Sequence, residues 1–149
     1  MTALMAQNKG AGKKNRMQEG FRCGMVLESI YGIFIFLVCF IFAKQLMCLF
    51  VQDEEVIMHG VTYLHLISIM YILPAFTNGI QGFFRGIGDL KITLISSLVN
   101  MTVRVIVAAP LVFSLHLGIE ALPYSYLAGW IGMLMAELPL LIRTYKAYE

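Results

Sequence analysis

Long apolar runs separated by short polar segments dominate the pattern of this chain. The second run carries no formal charge, whereas the others contain Glu28, Arg104 and Glu137 in turn. A helix needs roughly 20 mostly apolar residues to cross the hydrocarbon core of a bilayer, and each run is long enough. The pattern predicts four transmembrane helices, at about 23–43, 56–84, 92–115 and 121–142.

The polar connections contain signals for helix ends. Asp53 can accept hydrogen bonds from the first turn of the second helix and oppose its dipole. In the turn 85–91, Gly86 and Gly88 allow backbone angles closed to other residues, and Asp89 can cap the third helix. The apolar runs lack the alternation of barrel strands and are about twice as long. We therefore predict an all-α, polytopic membrane helix bundle.

Composition excludes several classes of protein. Apolar residues make up 59% of the 149 residues and charged residues 13%, with a mean hydropathy of +0.77, whereas soluble domains carry about 25% charged residues. A net charge of +2 and three cysteines argue against a nucleic-acid-binding protein and a disulfide scaffold. The histidines lack metal-ligand spacing, and Gly10–Lys13 lacks the first glycine of a phosphate loop. We expect no enzyme, metal or cofactor.

Lysine and arginine are distributed unevenly about the four runs. Five precede the first run, two lie between the second and third, two follow the fourth, and Lys44 alone lies on the opposite side. The positive-inside rule then places both chain ends and the 85–91 loop in the cytoplasm. Met1–Ala6 has no cleavage-site pattern. It reads as the end of a helix that begins upstream, so residues 1–22 are a helix end followed by a cytoplasmic loop.

One polar stripe lies on the third run. Its members recur at steps of four, three and four residues, which is one face of a helix: Thr93, Ser97, Asn100 and Arg104. An ionisable side chain at mid-membrane costs at least roughly 2.5–3.5 kcal/mol, so it usually faces a cavity or a partner. We therefore interpret the stripe as the wall of a cavity. Alternatively, Arg104 pairs with Glu28 or Glu137 and so holds the bundle together. Both interpretations can apply.

A second stripe lies on the second run, at three- and four-residue steps: Tyr71, Pro74, Asn78, Gln81 and Arg85. Pro74 is expected to bend the helix, and bent helices are common at transporter binding sites, although proline is also frequent in membrane helices generally. Small residues on adjacent faces predict close helix packing: Gly20, Gly24, Gly79, Gly82 and Gly86. The candidate cavity residues are Tyr71, Asn78, Gln81, Asn100 and Arg104.

Two segments resemble loops of a known family. Residues 6–16 (AQNKGAGKKNR) and 81–91 (QGFFRGIGDLK) are similar to the cytoplasmic loops of the multidrug and toxic compound extrusion (MATE) transporters. The resemblance covers essentially the whole chain and implies the last four of twelve helices in a two-lobe transporter. It also implies exchange of sodium or protons for small organic cations. The freedom of the two glycines further predicts that Arg85, Gly86, Gly88 and Asp89 form a hinge loop, the alternative being merely a tight loop.

The chain departs from this family at the ion site. Branches that bind the coupling ion in this lobe carry an acid in the helix before the 85–91 loop, and 56–84 has none. Neither sodium nor proton is therefore assigned. Glu28 and Glu137 are the remaining candidates for ion coupling, each about six residues from a cytoplasmic charge, Arg22 or Arg143, and each expected to be solvated.

Three functions follow from these observations. The first is part of a cation-coupled multidrug antiporter in the bacterial plasma membrane, whose partners are the lipid bilayer, organic cations and the remainder of the transporter. The second is a lipid-linked sugar flippase of the same superfamily, which would need a cavity more basic than Arg104 alone supplies. The third is a membrane subunit or remnant that does not transport.

Overall fold

A computed structural model describes residues 1–147 as seven helices, with no strand in that range. In chain order they are α1 (Thr2–Gly10), α2 (Lys14–Ile41), α3 (Ala43–Cys48), α4 (Glu54–Met70), α5 (Ile72–Gly86), α6 (Leu90–Phe113) and α7 (Ala121–Ala147). Three of them, α2, α6 and α7, are long and apolar enough to cross a membrane, and α4 with α5 make a fourth candidate span. The predicted all-α membrane bundle is confirmed.

The fourth candidate span is bent by 49° where α4 meets α5, at Tyr71. Pro74 lies in the first turn of α5, and its ring nitrogen has no hydrogen to donate to the carbonyl of Met70. The backbone N–H of Tyr71 instead donates to the Ser68 carbonyl at 3.1 Å, which tightens the last turn of α4. The bend expected from Pro74 is present, one turn before the proline.

Most helix bounds extend beyond the predicted spans because hydropathy marks the apolar part of a helix and not its ends, although α2 and α6 each end two residues before the predicted limit. α2 begins at Lys14, well before the predicted start at 23, and α7 continues past 142. The short helix α3 lies in a segment predicted as a connection. Outward-facing apolar side chains such as Phe34 (58% exposed) and Val105 (70% exposed) remain uncovered, as expected of surfaces that meet lipid or further helices.

α1 packs between α2 and α5 at one end of the bundle. Met5 is fully buried there, and a Cβ added to Gly86 would lie 2.3 Å from the Met5 Cβ, so the two helices can approach this closely at a glycine. The other four glycines predicted for packing likewise face methionine or leucine side chains of a neighbouring segment. This confirms the packing prediction. The buried apolar side chains at this end are Met5, Met17, Ile80, Phe83, Phe84 and Ile87.

One of the two predicted helix caps is present. The Asp53 carboxylate accepts hydrogen bonds from the backbone N–H groups of Glu55 (2.9 Å) and Val56 (3.3 Å) at the start of α4. Asp89 precedes α6, but its side chain makes no capping hydrogen bond, so that prediction is wrong. Its backbone, at φ −93° and ψ 76°, is outside the extended conformation usual for a capping residue.

Candidate functional site

A cavity of about 280 Å³ lies between α5, α6 and α7, and we call it the polar cavity. Its lining comprises Pro74, Thr77, Asn78 and Gln81 from α5, Ser97, Asn100 and Met101 from α6, and Trp130 and Met133 from α7. None of these side chains carries a formal charge. The cavity therefore offers amide and hydroxyl groups beside an aromatic ring, which suits a ligand with both polar and apolar parts.

Three predicted site residues, Asn78, Gln81 and Asn100, meet in the polar cavity. The three- and four-residue steps of both stripes place them on the facing sides of α5 and α6. The Asn100 amide nitrogen donates to the Met133 sulfur at 3.5 Å. Sulfur is a weak acceptor, so this contact leaves Asn100 largely available to a ligand. Asn78 is exposed, which makes its amide accessible.

Arg104 lies on the next turn of α6, beside the polar cavity. Its guanidinium carbon is 3.5 Å from the centre of the Tyr126 ring on α7, a cation–π contact. A Cβ added to Gly129 would lie 2.5 Å from the Arg104 Cγ, so glycine leaves room for the stem of the arginine. Arg104 lines a second groove that shares Met101 with the cavity.

Within the described part of the chain, Arg104 forms no ion pair with Glu28 or Glu137. Neither oxygen of Glu137 has a hydrogen-bond partner there, and Glu28 lies on α2 beside Gly79. The positive charge of Arg104 is stabilised by an aromatic face instead. The ion-pair interpretation of Arg104 is therefore wrong.

Tyr71 and Glu28 lie outside the polar cavity. Tyr71 is turned towards α2, where it lies near Tyr31, because the bend at the α4–α5 junction rotates it away from the face that carries Asn78. Glu28 is half-buried. Within residues 1–147 no three His, Cys, Asp or Glu side chains come together as a metal site would require.

Glu137 is fully enclosed, with 0% of its surface exposed, and is not solvated as expected from its distance to Arg143 in sequence. The buried side chains of Ser96 on α6 and Gln81 on α5 lie beside it. The Gln81 amide nitrogen donates to the Ser96 hydroxyl at 3.4 Å, and the Ser96 hydroxyl donates to the Ile92 carbonyl at 2.8 Å. Among residues 1–147, neither carboxyl oxygen of Glu137 has a hydrogen-bond partner.

The two motif segments, 6–16 and 81–91, contact each other at the end of the bundle that holds α1. The Lys9 ammonium donates a hydrogen bond to the Ile87 carbonyl, and Met5 packs on Gly86. Gly88 has a positive φ of 83°, in the left-handed region that favours glycine, whereas Gly86 is helical. Arg85 is exposed, and its Nε donates to the Gln81 carbonyl at 3.3 Å, one turn from the polar cavity.

The contribution of α7 to the cavity was not predicted from the sequence. Thr77, Met101, Trp130 and Met133 also line it. A signal was available, because four α7 residues recur at the same steps of four, three and four as the α6 stripe: Tyr126, Trp130, Met133 and Glu137. Two antiparallel helices with matching steps can pair such faces along their length. The α7 stripe does not stand out as polar because three of its four side chains are aromatic or contain sulfur.

Comparison with known proteins identifies the family of this chain. The family model MatE matches residues 1–111. "Probable multidrug resistance protein NorM" of Thermotoga maritima is 24% identical over 135 residues, which is 90% of this chain and 28% of that protein. The chain thus spans less than a third of the length of this relative.

A solved structure has the same fold over this part. It is described as "Inward-facing conformation of a multidrug resistance MATE family transporter of the MOP superfamily", and the match has a TM-score of 0.88 at 16% identity. It covers 94% of this chain and 32% of that one. Since the family match alone takes in residues 1–111 of 149, the chain belongs to the MatE family, the multidrug and toxic compound extrusion transporters.

Proposed function

We propose that this chain forms part of a cation-coupled multidrug antiporter, driven by sodium or protons, and that its polar cavity lines the path of an exported organic cation. The observation that carries this proposal is the meeting of Asn78, Gln81 and Asn100 beside the Trp130 ring. Amide oxygens accept hydrogen bonds from the N–H groups of a cation, and an aromatic ring attracts its positive charge. The relatives are described as a multidrug resistance protein and a transporter, which supports it.

The chemistry of the cavity favours an organic cation over a lipid-linked sugar. A flippase for such lipids has to bind phosphate groups, for which arginine and lysine side chains are suited. The lining of the polar cavity has no cationic side chain, and Arg104 is stacked on Tyr126 beside it.

The proposed orientation places the chain as a multi-pass protein of the bacterial plasma membrane. The contact of Lys9 with Ile87 puts the motif segments 6–16 and 81–91 at the same end of the bundle. Both carry an excess of lysine and arginine, so we assign this end, with the end of α7, to the cytoplasm. The remaining helices of the transporter would cover the open side of the cavity and part of the exposed apolar surface.

Binding of ethidium tests the proposed function. Ethidium is a planar organic cation with amino groups, and its fluorescence reports binding to the chain reconstituted in lipid nanodiscs. We expect Asn78→Leu and Asn100→Leu each to weaken binding several-fold, because a lost hydrogen bond costs about 0.5–1.5 kcal/mol. Thr102→Leu, at an exposed position on α6, is the matched control and should leave binding unchanged. Unchanged affinity in both cavity variants would refute the proposal.

A further inference from the structure

Glu137 is an acidic side chain enclosed inside the helix bundle without a partner. It is 0% exposed within this chain alone, and neither carboxyl oxygen has a hydrogen-bond partner among the described residues. Buried polar groups in folded proteins are nearly always hydrogen-bonded, so an exception calls for an explanation. An ionised carboxylate enclosed in this way would be strongly destabilising, whereas a carboxyl group that carries its proton is far less so.

The neighbours of Glu137 suit a protonated carboxyl group. One amide hydrogen of Gln81 is directed to the Ser96 oxygen, and the Ser96 hydroxyl donates to the Ile92 carbonyl. The oxygen atoms of Gln81 and Ser96 can accept a hydrogen bond from the protonated carboxyl group, and their N–H and O–H groups can stabilise its ionised form when they turn towards it. The Thr93 hydroxyl, one turn from Ser96 on α6, is another buried group without a partner. The site thus provides acceptors for a proton and lacks a cation.

No charged group faces Glu137 from the helices packed against α7. From α5 and α6 the groups beside it are the neutral Gln81 and Ser96. On α4, the titratable Tyr63 lies near Tyr126, three helical turns from Glu137 along α7. The nearest charged residues along the three helices of the site are Arg85 on α5, Lys91 on α6 and Arg143 on α7, which are exposed, and Arg104 on α6, which is half-buried against Tyr126. On α2, Arg22 lines a groove with Leu141 and Tyr145 of α7.

Gln81 connects Glu137 to the polar cavity. Its side chain lines the cavity and also lies beside Glu137, so a ligand in the cavity is separated from the carboxyl group by one side chain. A bound cation would favour the ionised form of Glu137 by direct charge attraction through a medium of low polarity. The proton and the organic cation are then alternative sources of positive charge for one site.

We infer that Glu137 is the proton carrier of the proposed antiporter. In the enclosed, cation-free state the carboxyl group holds a proton. When an organic cation enters the polar cavity, the O–H bond of Glu137 breaks, the electron pair stays on the carboxylate, and the proton passes to water in the cavity. The net charge of the site is unchanged, because one positive charge replaces another. This inference rests on the proposed function and names its coupling group.

Infrared spectroscopy tests the protonation of Glu137 independently of any ligand. Exposed carboxyl groups are ionised at neutral pH, so a protonated-carboxyl band from nanodiscs at pH 7 reports an enclosed acid. We expect this band in the native chain and in Glu120→Gln, an exposed control, and its loss in Glu137→Gln. Labelling with ¹³C-glutamate should shift the band in the native chain, so the test does not require the variant to fold.

Proton release tests the coupling. With a pH-sensitive dye in weak buffer, ethidium binding to the native chain should release a proton for each cation bound. By linkage, ethidium affinity should rise with pH, by up to about tenfold per unit, because the bound state holds fewer protons. In Glu137→Gln both effects should disappear while ethidium still binds.

The outcomes separate this inference from the proposed function. Ethidium binding without proton release, or a native chain without the protonated-carboxyl band, overturns the role of Glu137 and leaves the proposed function standing. Loss of the band when NaCl replaces KCl at equal concentration assigns the site to sodium and overturns the proton assignment. Failure of ethidium to bind overturns the proposed function and the coupling role together.

Discussion

Arg104 is held inside the bundle by an aromatic ring and a glycine. The ring of Tyr126 lies 3.5 Å from its guanidinium carbon, and Gly129 leaves space for its side-chain stem. A cation over an aromatic face gains more when water is excluded, which offsets part of the cost of placing the charge in a membrane helix. Arg104 therefore contributes to the α6–α7 interface next to the polar cavity.

Two glycines of α7 give a matched test of this contact. Gly129→Ala would place a Cβ 2.5 Å from the Arg104 Cγ and 3.1 Å from the Asn100 carbonyl oxygen, whereas at Gly132 the nearest atom is a Val103 methyl at 3.2 Å. We expect Gly129→Ala to destabilise the chain by about 1–3 kcal/mol, typical of overpacking. Gly132→Ala should change stability little. The measurement is the unfolding temperature in detergent, and equal unfolding temperatures for the two variants would contradict the packing role of Gly129.

At the scale of elements, the turn between α5 and α6 combines a positive φ at Gly88 with a contact from α1. Lys9 donates to the Ile87 carbonyl within this turn. The turn is thus tied to the start of the chain, and the two motif segments form one unit. If this turn is the predicted hinge loop, it has to move together with α1.

Gly88 and Gly118 differ in backbone conformation but not in surroundings. Neither has an atom within 4 Å of an added Cβ, and Gly88 alone of the two has a left-handed φ, +83°. Gly88→Ala should therefore cost about 1–2 kcal/mol, because alanine is strained in that region, whereas Gly118→Ala should be close to neutral. Unfolding temperatures in detergent measure both. A loss at Gly118 as large as that at Gly88 would show that flexibility of loops, and not the φ angle, is what matters.

At the scale of the whole molecule, the chain leaves much of its apolar surface uncovered. Side chains on α2 and α6 are exposed along their length, and the match to the solved MATE transporter covers 32% of that chain. Lipid and further helices are the natural partners of this surface. The direction of the bundle across the membrane depends on its charges, since the excess of lysine and arginine is at the end where α1 meets the α5–α6 turn.

Labelling of cysteines tests this orientation in intact cells. Cys48 lies in α3, at the end of the bundle opposite the α5–α6 turn along α2, and it is exposed. With Cys23 and Cys39 replaced by serine, a membrane-impermeant maleimide should label Cys48 from outside. In a chain without native cysteines, Leu90→Cys should react after the membrane is opened, and not before. The reverse pattern would invert the proposed topology.

The sequence by itself determined the features that depend on neighbouring residues along the chain. Four apolar runs predicted the membrane helices, Pro74 predicted the bend, and Asp53 predicted a cap that is present. Helical periodicity placed Asn78, Gln81 and Asn100 on faces that meet in one cavity. Such features follow from hydropathy, backbone geometry and a period of 3.6 residues, which act over a few turns.

Tertiary structure decided the features that depend on which helix faces which. Asp89 precedes α6 as predicted, but the conformation of the turn leaves its side chain without a capping bond. The partner of Arg104 is Tyr126, and the bend turns Tyr71 towards α2. Glu137 is enclosed because α5 and α6 pack over its face of α7, although its place in the sequence suggests solvent. The rotation and approach of packed helices set these contacts, and the periodicity of α7 shows only that Tyr126 and Glu137 share a face, not which helices cover it.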